Sequence, residues 1–332
     1  MKAAVVMAAG KAPVYAEFEA PMAKAGEELI SVRASALSQF SKSRASGAHY
    51  SAGGGFPAIA GADGVGITQE GRRVYFVLPE APFGALAELC PVSSDRCVEV
   101  PGSLDEITAA AIANPGMSAW AALVERAHLA AGETVLVNGA TGTAGRLAVQ
   151  LAKYLGAGKI IATGRNAEEL EEVKKLGADI VIPFSLGMSH PSGAKEYENA
   201  LKQVFAAGIN VVIDYLWGES AKTVIVAIAK TVEDGTPVRF VHVGGASREE
   251  NIELPGAALR SSAIVLMGSG LKSVRLPVLL GAVRSVFEAV QPAGLRIATK
   301  VVPLSEVEGV WDGAAGKPRV VFTVGATTKS HH

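Results

Sequence analysis

The sequence predicts an α/β protein in which a doubly wound parallel sheet interrupts a second, β-rich domain. Its length of 332 residues suggests roughly two domains. Short strand-like runs separated by Gly and Pro fill about the first hundred residues. From Glu133 onwards, strand-like and helix-like segments alternate, and this pattern indicates a parallel sheet with helices on both faces.

The composition indicates a globular protein of a reducing compartment, and we expect it to be cytoplasmic. Hydrophobic residues make up 49% of the chain and the formal net charge is −1. Without a basic block, neither nucleic acid nor a membrane is expected as a partner. Two cysteines, Cys90 and Cys97, provide neither a disulfide framework nor a thiolate metal cluster. The opening MKAAVVMAAG is interpreted as a first strand, and no segment is expected to reach transmembrane length.

The first domain is predicted to begin with a series of short strands. They lie within ELISVRASAL, GVGIT, RRVYFVL, FGALAELCPV and CVEV. Ser103 and Glu106 then have the spacing of a capping box, which predicts the start of a helix. Pro115, between Asn114 and Gly116, is predicted to break that helix before a second one forms in SAWAALVERAHL.

The alternating region follows in order. Strands are predicted around Val135, Ile160, Ile180, Val211, Val241 and Val265, with helices over 144–155, 167–176, 195–206 and 219–230 between the first five. Another helix is predicted near Pro277–Ala289. The tail from about residue 297 ends as a strand without this alternation, so we expect it to rejoin the first domain.

A glycine-rich turn marks the first unit of the alternating region, ETVLVNGATGTAGRLAVQLAKYLG. Gly139, Gly142 and Gly145 lie at three-residue spacing between a predicted strand and a helix. Such glycines allow a tight turn and the close approach of a pyrophosphate, and the helix N-terminus directs free N–H groups at that anion. The context predicts a dinucleotide site. The alternative is a turn that merely closes a strand–helix unit.

The end of the second strand of this region indicates which dinucleotide is bound. In NAD-binding units an Asp or Glu lies there and binds the adenosine ribose hydroxyls. Here the chain reads Gly164, Arg165 and Asn166, with no acid before Glu168. A guanidinium suits a 2′-phosphate, because its planar fork donates two charged hydrogen bonds. The sequence therefore predicts NADPH as the cofactor; the alternative is an ordinary solvated Arg165.

In its order of motifs the chain resembles the medium-chain dehydrogenase/reductase superfamily, and it looks most like the zinc-independent quinone oxidoreductase branch. The resemblance implies a GroES-like catalytic domain, residues 1–117 plus 273–332, interrupted by a Rossmann NADPH-binding domain, residues 118–272. The motifs that carry it are FPAIAGADGVG, GRRVYF, FGALAEL, ANPGMSAWAAL, VLVNGATGTAGRLAVQLAKYLGA, LGAD, INVVIDYLWG and GKPRVVF.

The residues at the metal positions of zinc-dependent relatives differ in this chain. Ser38 takes the place of a cysteine ligand, and Gly61-Ala62-Asp63 takes the place of a sequence that contains a histidine ligand. Zinc prefers thiolate and imidazole ligands, so no metal is expected. Asp63 is expected to be a structural hydrogen-bonding residue.

The catalytic candidates are weaker than the cofactor motif. Quinone reductases carry Asn, Asp and Tyr in the segment that here reads LSQFSKSRASG, where Ser38, Ser41 and Ser43 take those places. Ser38, Ser43 and Tyr50 are the candidates for a catalytic role; for each, an ordinary loop position is an equal alternative. His128 and His242 are expected to be structural.

The resemblance also implies positions around the cofactor. Ser118, at the head of its predicted helix, is expected near the nicotinamide or its ribose, and Phe184 against the adenosine. Val243 and Gly244 should approach the nicotinamide ribose, with Gly268 and Ser269 beside the carboxamide. The remaining expected cofactor contacts are Thr141, Gly142, Thr143, Ala144 and Gly145 at the pyrophosphate and Gly164, Arg165 and Asn166 at the 2′-phosphate.

The function expected from these features is transfer of a hydride from NADPH to a small-molecule electrophile, a quinone or an α,β-unsaturated carbonyl, without a metal. The alternative is a non-catalytic NADPH-binding protein such as a redox sensor or a crystallin-like protein. A homodimer is also expected, because Ala263 to Met267 form an apolar edge strand that can pair with a second chain. If the following helix or the tail covers that edge, the protein is a monomer.

Overall fold

Two compact units divide the chain in the computed structural model, which describes residues 1–47, 55–313 and 318–325. Unit 1 comprises Met1–Asn114, Val283–Val290 and Arg296–His332. Unit 2 comprises Pro115–Ala282 and Gln291–Leu295. The chain therefore leaves the first unit, forms the second, and returns to the first.

Among its described residues, unit 1 contains two sheets, the short helices α1 (Gln39–Ala45) and α9 (Val307–Val310), the N-terminal part of α2 (Glu106–Trp120) and the C-terminal part of α8 (Leu276–Ala289). A three-stranded sheet has the order β2-β1-β4, and a larger sheet has the order β15-β16-β3-β5-β6-β8, with β7 also paired to β3. The strands are β1 (Lys2–Val6), β2 (Val14–Glu17), β3 (Glu27–Ala36), β4 (Ala58–Ile59), β5 (Asp63–Ile67), β6 (Arg73–Val77), β7 (Leu89–Ser93), β8 (Cys97–Glu99), β15 (Thr299–Pro303) and β16 (Arg319–Thr323).

The expected return of the tail is confirmed by strand pairing. β16 pairs antiparallel with β3, Phe322 opposite Ser35. Phe322 is fully buried in a core that also contains Ile30 and Phe76. The apolar run at the end of the chain therefore completes the larger sheet of unit 1 and contributes to its core.

Unit 2 is built on a six-stranded parallel sheet of order β11-β10-β9-β12-β13-β14. Its six strands and four connecting helices confirm the predicted alternation to within a few residues. The strands are β9 (Thr134–Asn138), β10 (Lys159–Gly164), β11 (Ile180–Pro183), β12 (Val211–Asp214), β13 (Pro237–His242) and β14 (Ala263–Gly268). The helices are α3 (Thr143–Tyr154), α4 (Ala167–Lys175), α5 (Gly193–Phe205), α6 (Gly218–Thr231), α7 (Gly256–Arg260) and α8 (Leu276–Ala289), the last continuing into unit 1.

The strand order reverses between β9 and β12, and such a switch point is where doubly wound sheets bind ligands, beyond the carboxyl ends of the strands. The switch point is created because α3 and α4 lead the chain to one side of β9, whereas α5 leads it back to the other. The candidate site is therefore expected along the carboxyl edge of this sheet.

The predicted break at Pro115 is wrong. α2 continues through Pro115 and ends at Trp120, where a π-helical segment, Ala121–Arg126, follows directly. Proline removes a single backbone donor, and the buried apolar residues on both sides of it, Ile112 and Ala119, stabilise the helix across that gap. Its N-terminus is also capped by Asp105, which accepts from Thr108 N at 2.8 Å, rather than by Ser103.

The continuous helix also corrects the expectation that no segment reaches transmembrane length. Residues Glu106–Arg126 are long and apolar enough to cross a membrane by length and composition. However, 61% of the apolar window is buried inside the protein. Packing within the fold therefore accounts for the apolar character of this helix.

Candidate functional site

The glycine turn after β9 is as tight as the sequence predicts. Gly139 has φ +86°, a conformation that favours glycine, and Gly139 and Ala140 both donate to Thr163 O at the end of β10. A Cβ on Gly145 would lie 2.4 Å from Gly139 O and 2.7 Å from Ala140 Cα. Only glycine at position 145 therefore lets α3 begin this close to β9.

The start of α3 provides a site for an anion. Gly142 is the N-cap residue and no side chain caps the helix. The first N–H groups of a helix have no partner within it, and they carry the positive end of the helix dipole. Thr143, Ala144 and Gly145 contribute those groups, so the arrangement fits the pyrophosphate of a dinucleotide.

At the end of β10, Arg165 is exposed beside the glycine turn. The preceding Gly164 packs on Thr141, whose Cγ2 would lie 2.7 Å from a Cβ at position 164. Asn166, which is expected at the 2′-phosphate, also caps α4, because its side-chain oxygen accepts from Glu169 N at 3.1 Å. The side-chain NH2 group of Asn166 can still donate a hydrogen bond to a 2′-phosphate, but unlike Arg165 it carries no charge.

Arg146, which was not among the predicted residues, lies at the same corner. Its Nε donates to Thr141 O at 3.2 Å, and its Nη2 lies 3.9 Å from Glu169 Oε2. The side chain is 22% exposed. A cation in the first turn directly after the third glycine was the sequence signal that could have identified it.

Phe184, which is expected against the adenosine, lies in the hydrophobic core of unit 2. Its ring is 7% exposed and stacks on Tyr197, with ring centroids 4.5 Å apart, within the core beneath α5. Phe184 is one of the apolar residues that hold α5 on the sheet. Chain position after β11 alone could not distinguish these two environments.

The four residues expected near the nicotinamide half do lie at the carboxyl edge. Val243 N donates to Asp214 O at 2.7 Å, and Gly244 follows it beside Tyr215. Gly268 ends β14, and Ser269 N donates to the main-chain oxygen of the residue that ends β13. Ser118 differs from expectation: it lies near the C-terminal end of α2, not at the head of a helix, because α2 is continuous.

A row of polar side chains crosses four strands just below this edge. The sheet register aligns Thr163, Asn138, Asp214 and His242, the last residues or next to last of β10, β9, β12 and β13. Thr163 Oγ1 donates to Asn138 Oδ1 at 2.7 Å, and Asn138 Nδ2 donates to Asp214 Oδ1 at 2.8 Å. His242 Nδ1 lies 2.8 Å from Asp214 Oδ2. We call these four residues the polar row.

The polar row is largely buried, and helices and loops complete its hydrogen bonds. Thr163, Asn138 and Asp214 are fully buried. Tyr197 OH donates to Asn138 Oδ1 at 3.2 Å, and burial raises the pKa of this tyrosine. Asp214 also accepts from the main-chain N–H groups that lead into α6. The row was missed because its members are far apart in sequence and only the strand register brings them together.

The catalytic candidates of unit 1 are partly accounted for by local structure. Ser38 is the N-cap of α1: its Oγ accepts from Ser41 N at 2.9 Å and donates to Ser41 Oγ at 3.0 Å. Ser41 Oγ in turn accepts from Ala62 N. Ser43 lies within α1 and is partly exposed, whereas Tyr50 is outside the described residues.

Asp63 is buried at the start of β5, consistent with a structural role. Its carboxylate accepts from Tyr75 OH at 3.1 Å. Burial raises the pKa of Asp63 to about 6, although the charges of Arg319 and Arg44 oppose the shift. Burial correspondingly lowers the pKa of the Arg319 guanidinium. These four residues, Asp63, Tyr75, Arg44 and Arg319, form what we call the Asp63 cluster.

The residues at the expected metal positions do not fit zinc. Ser38 is occupied as a helix cap, and Ala62 has no ligand atom. Within residues 1–47, 55–313 and 318–325, no three His, Cys, Asp or Glu side chains are grouped so that they could hold a metal ion. No step of a reaction is therefore assigned to a metal.

Comparisons with known proteins agree with this geometry. Residues 144–279 match the family model described as zinc-binding dehydrogenase. The chain is 29% identical to a probable NADPH-dependent quinone reductase, tdiC, of Emericella nidulans, over 90% of this chain and 92% of that protein. It is 32% identical to the chloroplastic NADPH-dependent alkenal/one oxidoreductase of Arabidopsis thaliana, over 50% of this chain and 47% of that protein.

A solved structure gives the same result at the level of fold. The quinone oxidoreductase of Thermus thermophilus, also solved in complex with NADPH, matches with a TM-score of 0.78 and 25% identity. The match covers 98% of this chain and 100% of that one. From its motifs, its sheet order and these similarities, the chain belongs to the medium-chain dehydrogenase/reductase superfamily, in the quinone oxidoreductase-like branch.

Proposed function

We propose that the protein is an NADPH-dependent oxidoreductase that reduces quinones or α,β-unsaturated carbonyl compounds without a metal. The observation that carries the proposal is the corner formed by the glycine turn and the end of β10. There the free N–H groups of α3 lie beside Arg165 and Arg146, and no carboxylate ends β10. The relatives named above are reductases of these two substrate classes.

Each part of this corner has a distinct role toward the cofactor. The N–H groups of Thr143 to Gly145 hold the pyrophosphate, and the glycines let it approach the main chain. Arg165 and Arg146 neutralise the 2′-phosphate, which carries the charge that distinguishes NADPH from NADH. When bound, NADPH supplies the hydride for the reduction. In unit 1, Ser43 and Tyr50 remain the candidates for contacting the substrate.

Turnover distinguishes this function from a protein that only binds the cofactor. NADPH oxidation is measured with a panel of quinones and enones, beside NADPH affinity measured by calorimetry. We expect consumption of NADPH that depends on at least one electrophile of these classes. Tight binding of NADPH without turnover of any panel member would favour the non-catalytic alternative.

The preference for NADPH is tested at Arg165. Arg165→Ala should weaken NADPH by roughly 10- to 100-fold, because a charged hydrogen-bonded contact contributes about 1.5–3 kcal/mol, while NADH affinity stays nearly unchanged. Arg260→Ala, at an exposed arginine of α7 in the same unit, is the matched control and should alter neither affinity. Equal affinities of the unmodified protein for NADPH and NADH would contradict the assignment.

We also propose that the activity does not depend on a metal, and the side chains at positions 38 and 62 support this proposal. Activity and thermal stability should survive exhaustive treatment with EDTA, since neither a hydroxyl engaged in capping nor an alanine is a zinc ligand. Elemental analysis completes the test. Stoichiometric zinc, lost together with activity, would refute metal independence.

We further propose a cytoplasmic homodimer formed through β14. This strand lies at the end of the sheet, and Val265 and Leu266 on it are 46% and 39% exposed. In the described part of the chain, no strand pairs with its outer edge. An apolar edge with free main-chain groups favours pairing with a second copy. Light scattering should give about twice the mass of 34.1 kDa for one chain; a mass near 34.1 kDa would contradict the dimer.

A further inference from the structure

The polar row ends on one side chain that is accessible. Thr163, Asn138 and Asp214 are buried, whereas the side chain of His242 is 35% exposed. Burying polar groups is costly unless they are hydrogen-bonded, and here each one is bonded to the next. The exposed end of such a chain is a fixed polar atom at the carboxyl edge of the sheet.

The buried carboxylate determines which nitrogen of His242 is available. An ionised carboxylate only accepts hydrogen bonds, so Nδ1 carries the proton that Asp214 Oδ2 accepts at 2.8 Å. In the neutral ring Nε2 is then left as an acceptor. No hydrogen bond from any described residue reaches Nε2. The ring therefore presents a lone pair that a hydroxyl group can satisfy.

The orientation of the ring is fixed as well. The Trp217 ring lies against the imidazole, with centroids 4.5 Å apart. The backbone of Trp217 has φ +63°, an unfavourable conformation for a bulky residue. The main-chain N–H of Trp217 donates to Asp214 Oδ2 at 3.1 Å. Asp214 thus binds both partners of the stacked pair. A strained residue held in this way at the ligand edge is typical of a functional site.

The position of His242 in the sheet indicates which part of a bound dinucleotide would lie beside it. Arg165, directly after β10, lies on the side of the glycine turn where the adenosine is expected, whereas β13 lies on the other side, two strands from β9. Neighbouring strands are about 4.8 Å apart, so His242 is roughly 10 Å from the phosphate-binding turn. On that side, a dinucleotide offers an acceptor the hydroxyls of the nicotinamide ribose and the NH2 group of the carboxamide. The carboxamide is expected one strand farther along, beside Gly268 at the end of β14, so the ribose hydroxyls are the donors expected nearest to His242.

We propose that His242, oriented by Asp214 and Trp217, binds a hydroxyl of the nicotinamide ribose through Nε2. This role rests on the proposed NADPH function and extends it, since His242 was expected to be only structural. Asp214 is a positioning residue, which acts through the imidazole. The adenosine half of the cofactor makes no contact with this histidine, and this asymmetry provides the test.

The experiment compares two ligands on one variant. Binding of NADPH and of 2′,5′-ADP, which lacks the nicotinamide ribose, is measured by calorimetry on the full chain. In His242→Asn the amide can still donate to Asp214 but Nε2 is gone. NADPH should bind about 5- to 30-fold more weakly, with 2′,5′-ADP within about twofold of the unmodified protein. His190→Asn, at an exposed histidine outside the row, should leave both affinities unchanged.

Each other outcome contradicts the proposal. Unchanged NADPH affinity in His242→Asn, or an equal loss for both ligands, would overturn the ribose contact and leave NADPH binding itself intact. A lack of NADPH binding by the unmodified protein would overturn the proposed function as well.

A second measurement uses the unmodified protein, so its result does not depend on whether the variant folds. In the unmodified, ¹⁵N-histidine-labelled protein, the Nε2 resonance of His242 should shift on addition of NADPH and not of 2′,5′-ADP. A resonance that ignores both ligands, or responds equally to both, would refute the contact.

Discussion

The polar row of unit 2 and the Asp63 cluster of unit 1 both bury a carboxylate, but they stabilise it in different ways. Asp214 accepts hydrogen bonds from Asn138, His242 and two main-chain N–H groups. Asp63 accepts one from Tyr75, and among the described residues no hydrogen bond reaches its Oδ1. The arginines nearby act on Asp63 through charge alone.

This difference shows how burial and hydrogen bonding together affect the pKa of a buried carboxyl group. A buried carboxylate with several donors can stay ionised, because the donors replace the water it has lost. With a single donor, burial dominates, and the pKa of Asp63 rises to about 6 despite two neighbouring cations. The register of a parallel sheet supplied the donors in one unit; no comparable alignment exists around Asp63 among the described residues.

The largest effect is expected from breaking the polar row at its centre. Asn138→Leu keeps the volume but leaves Thr163 Oγ1, Tyr197 OH and Asp214 Oδ1 each without one buried hydrogen bond. We expect a loss of roughly 4 kcal/mol in the free energy of unfolding, since each unsatisfied buried group costs about 1–3 kcal/mol. Urea denaturation measures it.

Ser220→Ala is the control for this prediction. It removes only a peripheral acceptor of Asn138 Nδ2, at 3.1 Å, and should cost about 1 kcal/mol. If the two variants lost equal stability, the row would not act as a connected unit.

The pH dependence of stability should sharpen the contrast at Asp63. The folded state favours the protonated form of the Asp63 carboxyl group. The contribution of this group to the free energy of unfolding is therefore fully present below about pH 4 and is lost as the pH rises towards 6. We therefore compare the free energy of unfolding of the unmodified protein with that of Asp63→Asn. The value for the unmodified protein should fall relative to the variant by about 3 kcal/mol over this pH range.

Measuring the difference between the two proteins cancels the other carboxylates, several of which shift in the opposite direction. Chemical denaturation at a series of pH values gives the result. A difference that rose with pH would mean that the arginines, and not burial, dominate the pKa of Asp63.

The smallest effect is expected from the single donor of the cluster. Tyr75→Phe removes the hydroxyl that lowers the pKa of Asp63, so the carboxyl should remain protonated to a higher pH. At pH 8 we expect a loss of about 1–2 kcal/mol, and a smaller one at pH 4. In an Asp63→Asn background the pH dependence of the Tyr75→Phe effect should disappear; if it persists, Tyr75 acts through another group.

Much of the fold could be predicted because its signals are local. The alternation of strands and helices, the glycine turn and the returning tail each follow from spacing and residue type over short stretches. Pro115 shows the limit of such signals: its local preference predicts a break, but the burial of α2 on both sides outweighs the loss of one donor. The burial of Phe184 could not be predicted for the same reason, because tertiary packing determines where an aromatic side chain points.

The residues of the candidate site also fall into two groups, those that a local motif predicts and those that only the folded sheet brings together. Gly145 and Arg165 are identified by neighbours in sequence, so a motif reveals them. Asn138, Asp214 and His242 come from three separate strands, and their partnership exists only in the sheet register. Ser38 resembles a substitute for a reactive residue, but it caps a seven-residue helix, and no sequence pattern separates those two uses of a hydroxyl.

The stacking of Trp217 on His242 gives the protein an intrinsic optical reporter. Because the indole ring lies in contact with the imidazole, a change in the surroundings of His242 should alter the fluorescence of Trp217. The chain contains three tryptophans, and Trp120 and Trp311 lie in other segments. Replacing those two by phenylalanine would leave a single emitter in direct contact with the ring whose partner is in question.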